Sequence, residues 1–235
     1  VRMSQMAKEE QRTRDYAAAV DAELSLSEEG RRWSAWREEA AVGGDAHQAG
    51  RDKAWPVLHF DDVSSIPFLQ EISGVELYQL RSRLRAVDGD LYAATCPGVP
   101  GYEAYNRDML GLGSPHFIHA EAVATACEIG LACTRGDAFE RLQKAALRAG
   151  GMTLHPYMGS EPAWLLAKAL HDLAGVPVRC VAPTPAVTDY SNHKGHVTRA
   201  AVALLDDGVL GGEPVVETRS ATTPQGLVDA LRDLA

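Results

Sequence analysis

The chain has 235 residues, is 46% hydrophobic and carries a formal net charge of −9 with a pI near 5.4. That length allows one large domain or a domain with an appendage, and the apolar share suits a globular core. The acidic balance lacks the basic stripe that neutralises phosphates, and no apolar run is long enough to span a bilayer, so neither a nucleic-acid partner nor a membrane one is expected.

The first residues, Val1 to Arg14, are polar and mixed in charge, unlike a secretory signal, which points to a cytoplasmic protein. Residues 3–43 are rich in Ala, Glu, Arg and Gln, and Ser25–Glu28 interrupts the run, so two helices are predicted, about 4–23 and 27–41. Trp33 and Trp36 share one face, a spacing suited to docking on the chain's own sheet or on a second copy in a homodimer. Gly43-Gly44 ends the run, and a polar linker completes a helical arm over 1–53.

From Trp55 onward short apolar runs alternate with amphipathic stretches. Strands are predicted at 56–60, 90–95, 116–119, 152–155 and 177–181, and helices at 75–87, 101–111, 121–132, 137–149, 161–174 and 194–206. In 75–87 the stripe Leu77, Leu80, Leu84, Val87 should face the core; in 161–174 it is Trp164, Leu165, Ala169 and Leu173, with Ser160 and Pro162 as start signals. A further strand at Val215–Thr218 and a last helix capped by Thr222-Thr223-Pro224 close the chain. This alternation predicts an α/β fold, an open, mostly parallel, Rossmann-like sheet flanked by helices.

In such a sheet ligands sit outside the carboxyl ends of the strands. Asp61, Thr95 and His155 lie at those ends and are the substrate-cleft candidates, with Asn192 beside them. Turn capping competes as a role for Asp61 and Thr95, and a satisfied half-buried imidazole for His155. No Walker A sequence is present; Gly111-Leu112-Gly113 follows a helix and lacks the third glycine of a dinucleotide fingerprint; Gly159-Ser160-Glu161 is no nucleophile elbow. His193 and His196 supply two metal ligands where a site needs three or four, so no metal site is assigned. Cys96, Cys127, Cys133 and Cys180 form no CxxC pair and read as buried free thiols. Lys194 stands at the start of a predicted helix, capped by Ser191 or Asn192, where a phosphate would meet both the helix amides and its ammonium.

Several segments in order resemble one family. Ile72–Tyr78 (ISGVELY) with the leucine-rich helix after it, Asp90–Pro97 (DLYAATCP), Tyr102–Leu112, Thr153–Leu170 and Val176–Tyr190 resemble the pre-ATP-grasp domain of ATP-grasp carboxylate–amine ligases of the pheganomycin peptide-ligase type. Asn192–Leu205 resembles the helix that opens the ATP-grasp core, although His193 stands where the family commonly has Asp or Gly before the lysine. The resemblance covers about residues 55–235 and implies a pre-ATP-grasp domain over 54–190 and the beginning of the core over 191–235. It implies a ligase that joins a small-molecule carboxylate to an amine or peptide through an acyl phosphate, in natural-product biosynthesis, with ATP and Mg2+ as cofactors and Lys194 on the phosphates. The adenine clamp, glycine-rich lid and magnesium-holding residues are not in this sequence, so no residue here is expected to be catalytic. The rival expectation is a non-catalytic α/β docking module, such as a subunit of a split ligase.

Overall fold

A computed structural model describes residues 55–66, 69, 72–192, 197–198, 201–202 and 223–233. The helical arm, the strand at 215–218 and Lys194 lie outside the described residues, as does most of the helix expected at 194–206, of which 197–198 and 201–202 are helical.

Five strands form one sheet: β1 (Val57–Phe60), β2 (Leu91–Ala94), β3 (His116–His119), β4 (Met152–Pro156) and β5 (Val178–Cys180). All neighbours pair in parallel, in the order β3-β2-β1-β4-β5. The chain lays strands outward from β1 on one side, then returns to lay β4 on the other. The direction reverses between β1 and β4, and this topological switch point is where ligands enter open α/β sheets. The strands are short apolar runs bounded by Gly, Pro and Asp, and all five fall where the sequence predicts them to within about two residues at each end.

One face of the sheet is apolar. Leu58 and Phe60 of β1, Leu91 and Ala93 of β2, Ile118 of β3 and Met152 and Leu154 of β4 pack against α2 (Ile129–Ala132), α3 (Gly136–Ala149) and α4 (Glu161–Ala174). The period of two along each strand sends His59, Tyr92, Phe117, Thr153 and His155 to the other face. α4 begins as expected: Ser160 Oγ accepts the Ala163 amide at 3.4 Å, and Gly175 ends the helix at φ 64°. Its buried stripe is Ala163, Trp164, Leu166, Ala167 and Leu170. Leu165 and Leu173 are exposed, which corrects the stripe read from the sequence; a true 3.6-residue period runs through 163, 166–167 and 170. The Trp164 indole donates to the Pro183 carbonyl at 2.7 Å and holds the segment after β5 against α4.

The helix expected at 75–87 is a 3₁₀ helix, Val75–Arg85. Leu77, Leu84 and Val87 are exposed, while Gln79, Ser82 and Arg83 are buried. At three residues per turn the inward positions become 79–80, 82–83 and 85–86, which are mostly polar. They meet polar partners. Arg83, fully buried, donates through Nε to Glu103 at 2.8 Å and through its terminal nitrogens to the carbonyls of Ala86 and Gly113 at 3.2 and 2.9 Å.

Two other helices are shorter than the sequence suggests. Within 101–111 a single turn, α1 (Tyr102–Ala104), passes into a π turn, Tyr105–Met109. Of 121–132 only Ile129–Ala132 is helical, because the Ala126 carbonyl is taken by Gln79 and by Thr95 Oγ1 instead of by a helical amide. Cys96, Cys127 and Cys133 are buried and free, as expected, and Cys180 is half-buried and free.

The sheet belongs to the larger of two compact units, which ends at Pro185. After β5, α5 (Pro185–Asn192) forms where the sequence predicts no helix, and α6 (Pro224–Asp233) starts at the predicted cap, where Thr223 Oγ1 accepts the Gly226 amide at 3.0 Å. Among the described residues no helix is long and apolar enough to cross a membrane.

Candidate functional site

β1 ends at the switch point with two consecutive aspartates, and the pleat turns them apart. Asp62 goes inward: it is fully buried, accepts the Gly130 amide at 2.8 Å, and accepts both the amide and the hydroxyl of Ser64. Burial raises its carboxyl above the usual carboxylate value, and the Ser64 and Gly130 donors oppose the rise. It ties the end of β1 to the start of α2.

Asp61 turns to the other face and is 1% exposed. Two guanidinium groups of the 3₁₀ helix hold it: Arg85 Nη2 at 2.5 Å and Arg81 Nε at 3.2 Å. The arginines are less enclosed than the carboxylate, with 42% of the Arg81 side chain and 33% of the Arg85 side chain exposed. The Arg81 guanidinium lies 4.6 Å from the Tyr78 ring centroid and 5.1 Å from that of Tyr157, which follows β4. The buried Arg85 Nε has no hydrogen-bond partner.

Two histidines continue the polar face behind this cluster. His59 and His155 are register partners on β1 and β4, with ring centroids 5.1 Å apart. His59 Nε2 is 3.4 Å from Asp90 Oδ2, and its Nδ1 is buried without a partner. Burial pushes His59 below the ordinary histidine value, against the pull of Asp90. Burial, then the positive charge of Arg85, lowers His155 as well. In both, burial favours the neutral imidazole. In the cluster on the polar face, Arg81 and Arg85 exceed the Asp61 carboxylate they hold by one positive charge.

The sequence candidates divide accordingly. Asp61 and His155 come together at the switch point. Thr95 does not join them: its amide donates to Gln79 Oε1 at 2.6 Å and its hydroxyl to the Ala126 carbonyl at 2.7 Å, which makes it a strand-end clamp. Asn192 is exposed and ends α5, and Ser191 Oγ donates back to the Val187 carbonyl at 2.7 Å. The sequence reading does not single out Arg81, Arg85 or Tyr78. The available signal was the i, i+4 pair Arg81/Arg85 one element downstream of a strand-end aspartate, hidden because the helix was read by its leucines.

Among the described residues no three His, Cys, Asp or Glu side chains gather to hold a metal ion. After β1 the Asp61 carboxylate, buried beneath two guanidiniums, stands where a phosphate cradle would have amides. Lys194, the residue expected on the phosphates of ATP, lies outside the described residues. Comparison with family models, with curated proteins and with solved structures finds no match.

Proposed function

We propose that the switch-point crevice receives the carboxylate of a small-molecule acid, and that the chain is the N-terminal part of an ATP-dependent carboxylate–amine ligase. The observation that carries the first half is the excess positive charge of Arg81 and Arg85 over Asp61, at the place where open parallel sheets bind ligands. The second half rests on the ordered resemblance of residues 55–235 to pre-ATP-grasp domains, with which a five-stranded parallel sheet is consistent. In the complete enzyme ATP would supply the activating phosphoryl group and Mg2+ its charge neutralisation, and Lys194 is the residue of this chain assigned to the phosphates. The described residues act on the acid alone. Arg81 and Arg85 attract and orient it, Asp61 fixes the two guanidiniums, and the Tyr78 and Tyr157 rings wall the position of Arg81.

Calorimetry with acetyl-alanyl-alanine and with its C-terminal amide tests the reading. The free acid binds, the amide binds more weakly, and Arg81→Gln weakens the acid by about tenfold, a change typical of losing one charge-assisted contact. Asp61→Asn has the opposite sign: it frees both guanidiniums and tightens the acid. A purely structural Asp61–arginine cluster predicts equal binding of acid and amide and no gain in Asp61→Asn. Micromolar binding of ATP to the chain in the absence of acid would contradict the assignment of its nucleotide machinery to the rest of the enzyme.

A further inference from the structure

At the opposite end of the sheet, where β1, β2 and β3 begin, a groove of about 500 Å³ opens between the strands and α3. Its floor is apolar: Leu91 and Ile118 from the sheet and Ala145 from the helix. The small side chains along α3 leave it hollow, since Ala145 and Ala149 stand where larger residues would fill the space against β2 and β3. Its rim is cationic. Arg141, Lys144 and Arg148 follow one another at helical spacing along the same side of α3, and all three are exposed.

The counter-charges are few and loose. Asp137 lies 3.9 Å from Arg141, and Glu140 lies 3.9 Å from Lys144, both as exposed pairs one turn back on the helix. Pairs of that kind hold little free energy and yield readily to a better anion. Arg141 is aimed over the β3 side of the groove by a 2.8 Å bond from Nη2 to the Phe117 carbonyl. Arg148 Nε donates only to the Lys144 carbonyl of its own helix, at 3.2 Å, and among the described residues no carboxylate pairs with it. The volume lies within the range of small-molecule sites, and an apolar floor with a few convergent charges is the composition of such sites. In a chain of net charge −9, three cations around one hollow are a local reversal of sign.

From this geometry we infer that the groove binds a small amphipathic anion: an apolar or aromatic body seated on Leu91, Ile118 and Ala145, with a carboxylate, sulfonate or phosphate held at the rim by Lys144 and Arg148. The site is separate from the switch point: its lining residues precede β1 and β2, belong to β2 and β3 or lie on α3, whereas Asp61 follows β1 and Arg81 and Arg85 lie on the 3₁₀ helix. It does not depend on the ligase reading.

The test uses naphthalene-2-carboxylate as probe, 2-naphthamide as its neutral counterpart and inorganic phosphate as the anion without an apolar body. Two-dimensional amide NMR of the 235-residue chain at low salt is the measurement. The carboxylate shifts residues of β2, β3 and α3 with a dissociation constant of about 1 mM or tighter, while the amide and inorganic phosphate bind at least about fivefold more weakly. Lys144→Gln with Arg148→Gln, both exposed and therefore tolerated by the fold, weakens the carboxylate by about fivefold or more. Ala145→Leu, which fills the floor, removes binding, and unchanged shifts elsewhere show that the sheet is intact. Arg81→Gln leaves this binding unchanged. Equal affinity for acid and amide, equal affinity for inorganic phosphate, indifference to the two glutamine substitutions, or shifts confined to the switch-point residues would each overturn the inference.

Discussion

Arg83→Met replaces a fully buried polar side chain with an apolar one of similar length, and its cost follows from the groups left behind. The guanidinium serves four acceptor contacts: Glu103 through both oxygens, at 3.1 and 2.8 Å, and the carbonyls of Ala86 and Gly113. The substitution leaves those carbonyls short of a donor, at about 1–3 kcal/mol for each one that stays dry. Glu103 recovers much of its hydration, since 45% of its side chain is exposed, and it keeps the bond from the Tyr92 hydroxyl at 2.5 Å. The loss therefore falls near the lower end of the range for breaking a buried ion pair, about 3 kcal/mol. For a unit of this size that is a fall in Tm of about 6–12 °C. Urea denaturation at pH 7 reads it as a lower midpoint at unchanged slope. A double-mutant cycle with Glu103→Gln isolates the pair, and a coupling of at least about 1 kcal/mol is expected. A loss under about 1 kcal/mol in Arg83→Met would show that the polar side of the 3₁₀ helix does not hold it to the sheet.

Three further outcomes follow from other parts of the structure. His59 and His155 both have lowered folded-state values, so their contribution is complete above the unfolded value of about 6.5 and is lost as pH falls through the lowered folded values; His155→Gln should reduce the slope of stability against pH below 6.5 by at most about 1.4 kcal/mol per pH unit, and an unchanged slope refutes the burial argument. Gly130→Ala should destabilise by about 1–3 kcal/mol, because a Cβ there would lie 2.5 Å from the Pro162 carbonyl where α2 crosses the start of α4; a neutral result in thermal unfolding would mean that the two helices separate freely. Gln79→Ala should cost about 2 kcal/mol and speed hydrogen exchange at the Thr95 amide, which loses its acceptor at 2.6 Å, and unchanged protection would remove Gln79 from the clamp.

The parallel sheet and α3 and α4 were legible in the sequence because their signals are local. An apolar run between turn residues specifies a strand wherever it lies. Ser160, Pro162 and Gly175 start and stop α4 through contacts within a few residues of themselves. The same holds for Asp61 and His155 as strand-end residues, since a parallel sheet brings all carboxyl ends to one edge. What the chain does not announce is who meets whom across that edge. Asp61 and the Arg81/Arg85 pair lie 20 and 24 residues apart, and the arginines reach the carboxylate only because residues 75–85 wind as a 3₁₀ helix with their polar side inward. That winding is a tertiary decision: a leucine stripe at 3.6-residue spacing favours an α-helix locally, but Gln79 and Arg83, both buried, find partners on Thr95, Ala126, Glu103 and Gly113 that an outward-facing polar side would forgo. The truncated helix at 129–132 has the same cause, since a carbonyl claimed by a distant side chain is no longer available to the helix that its own segment would form.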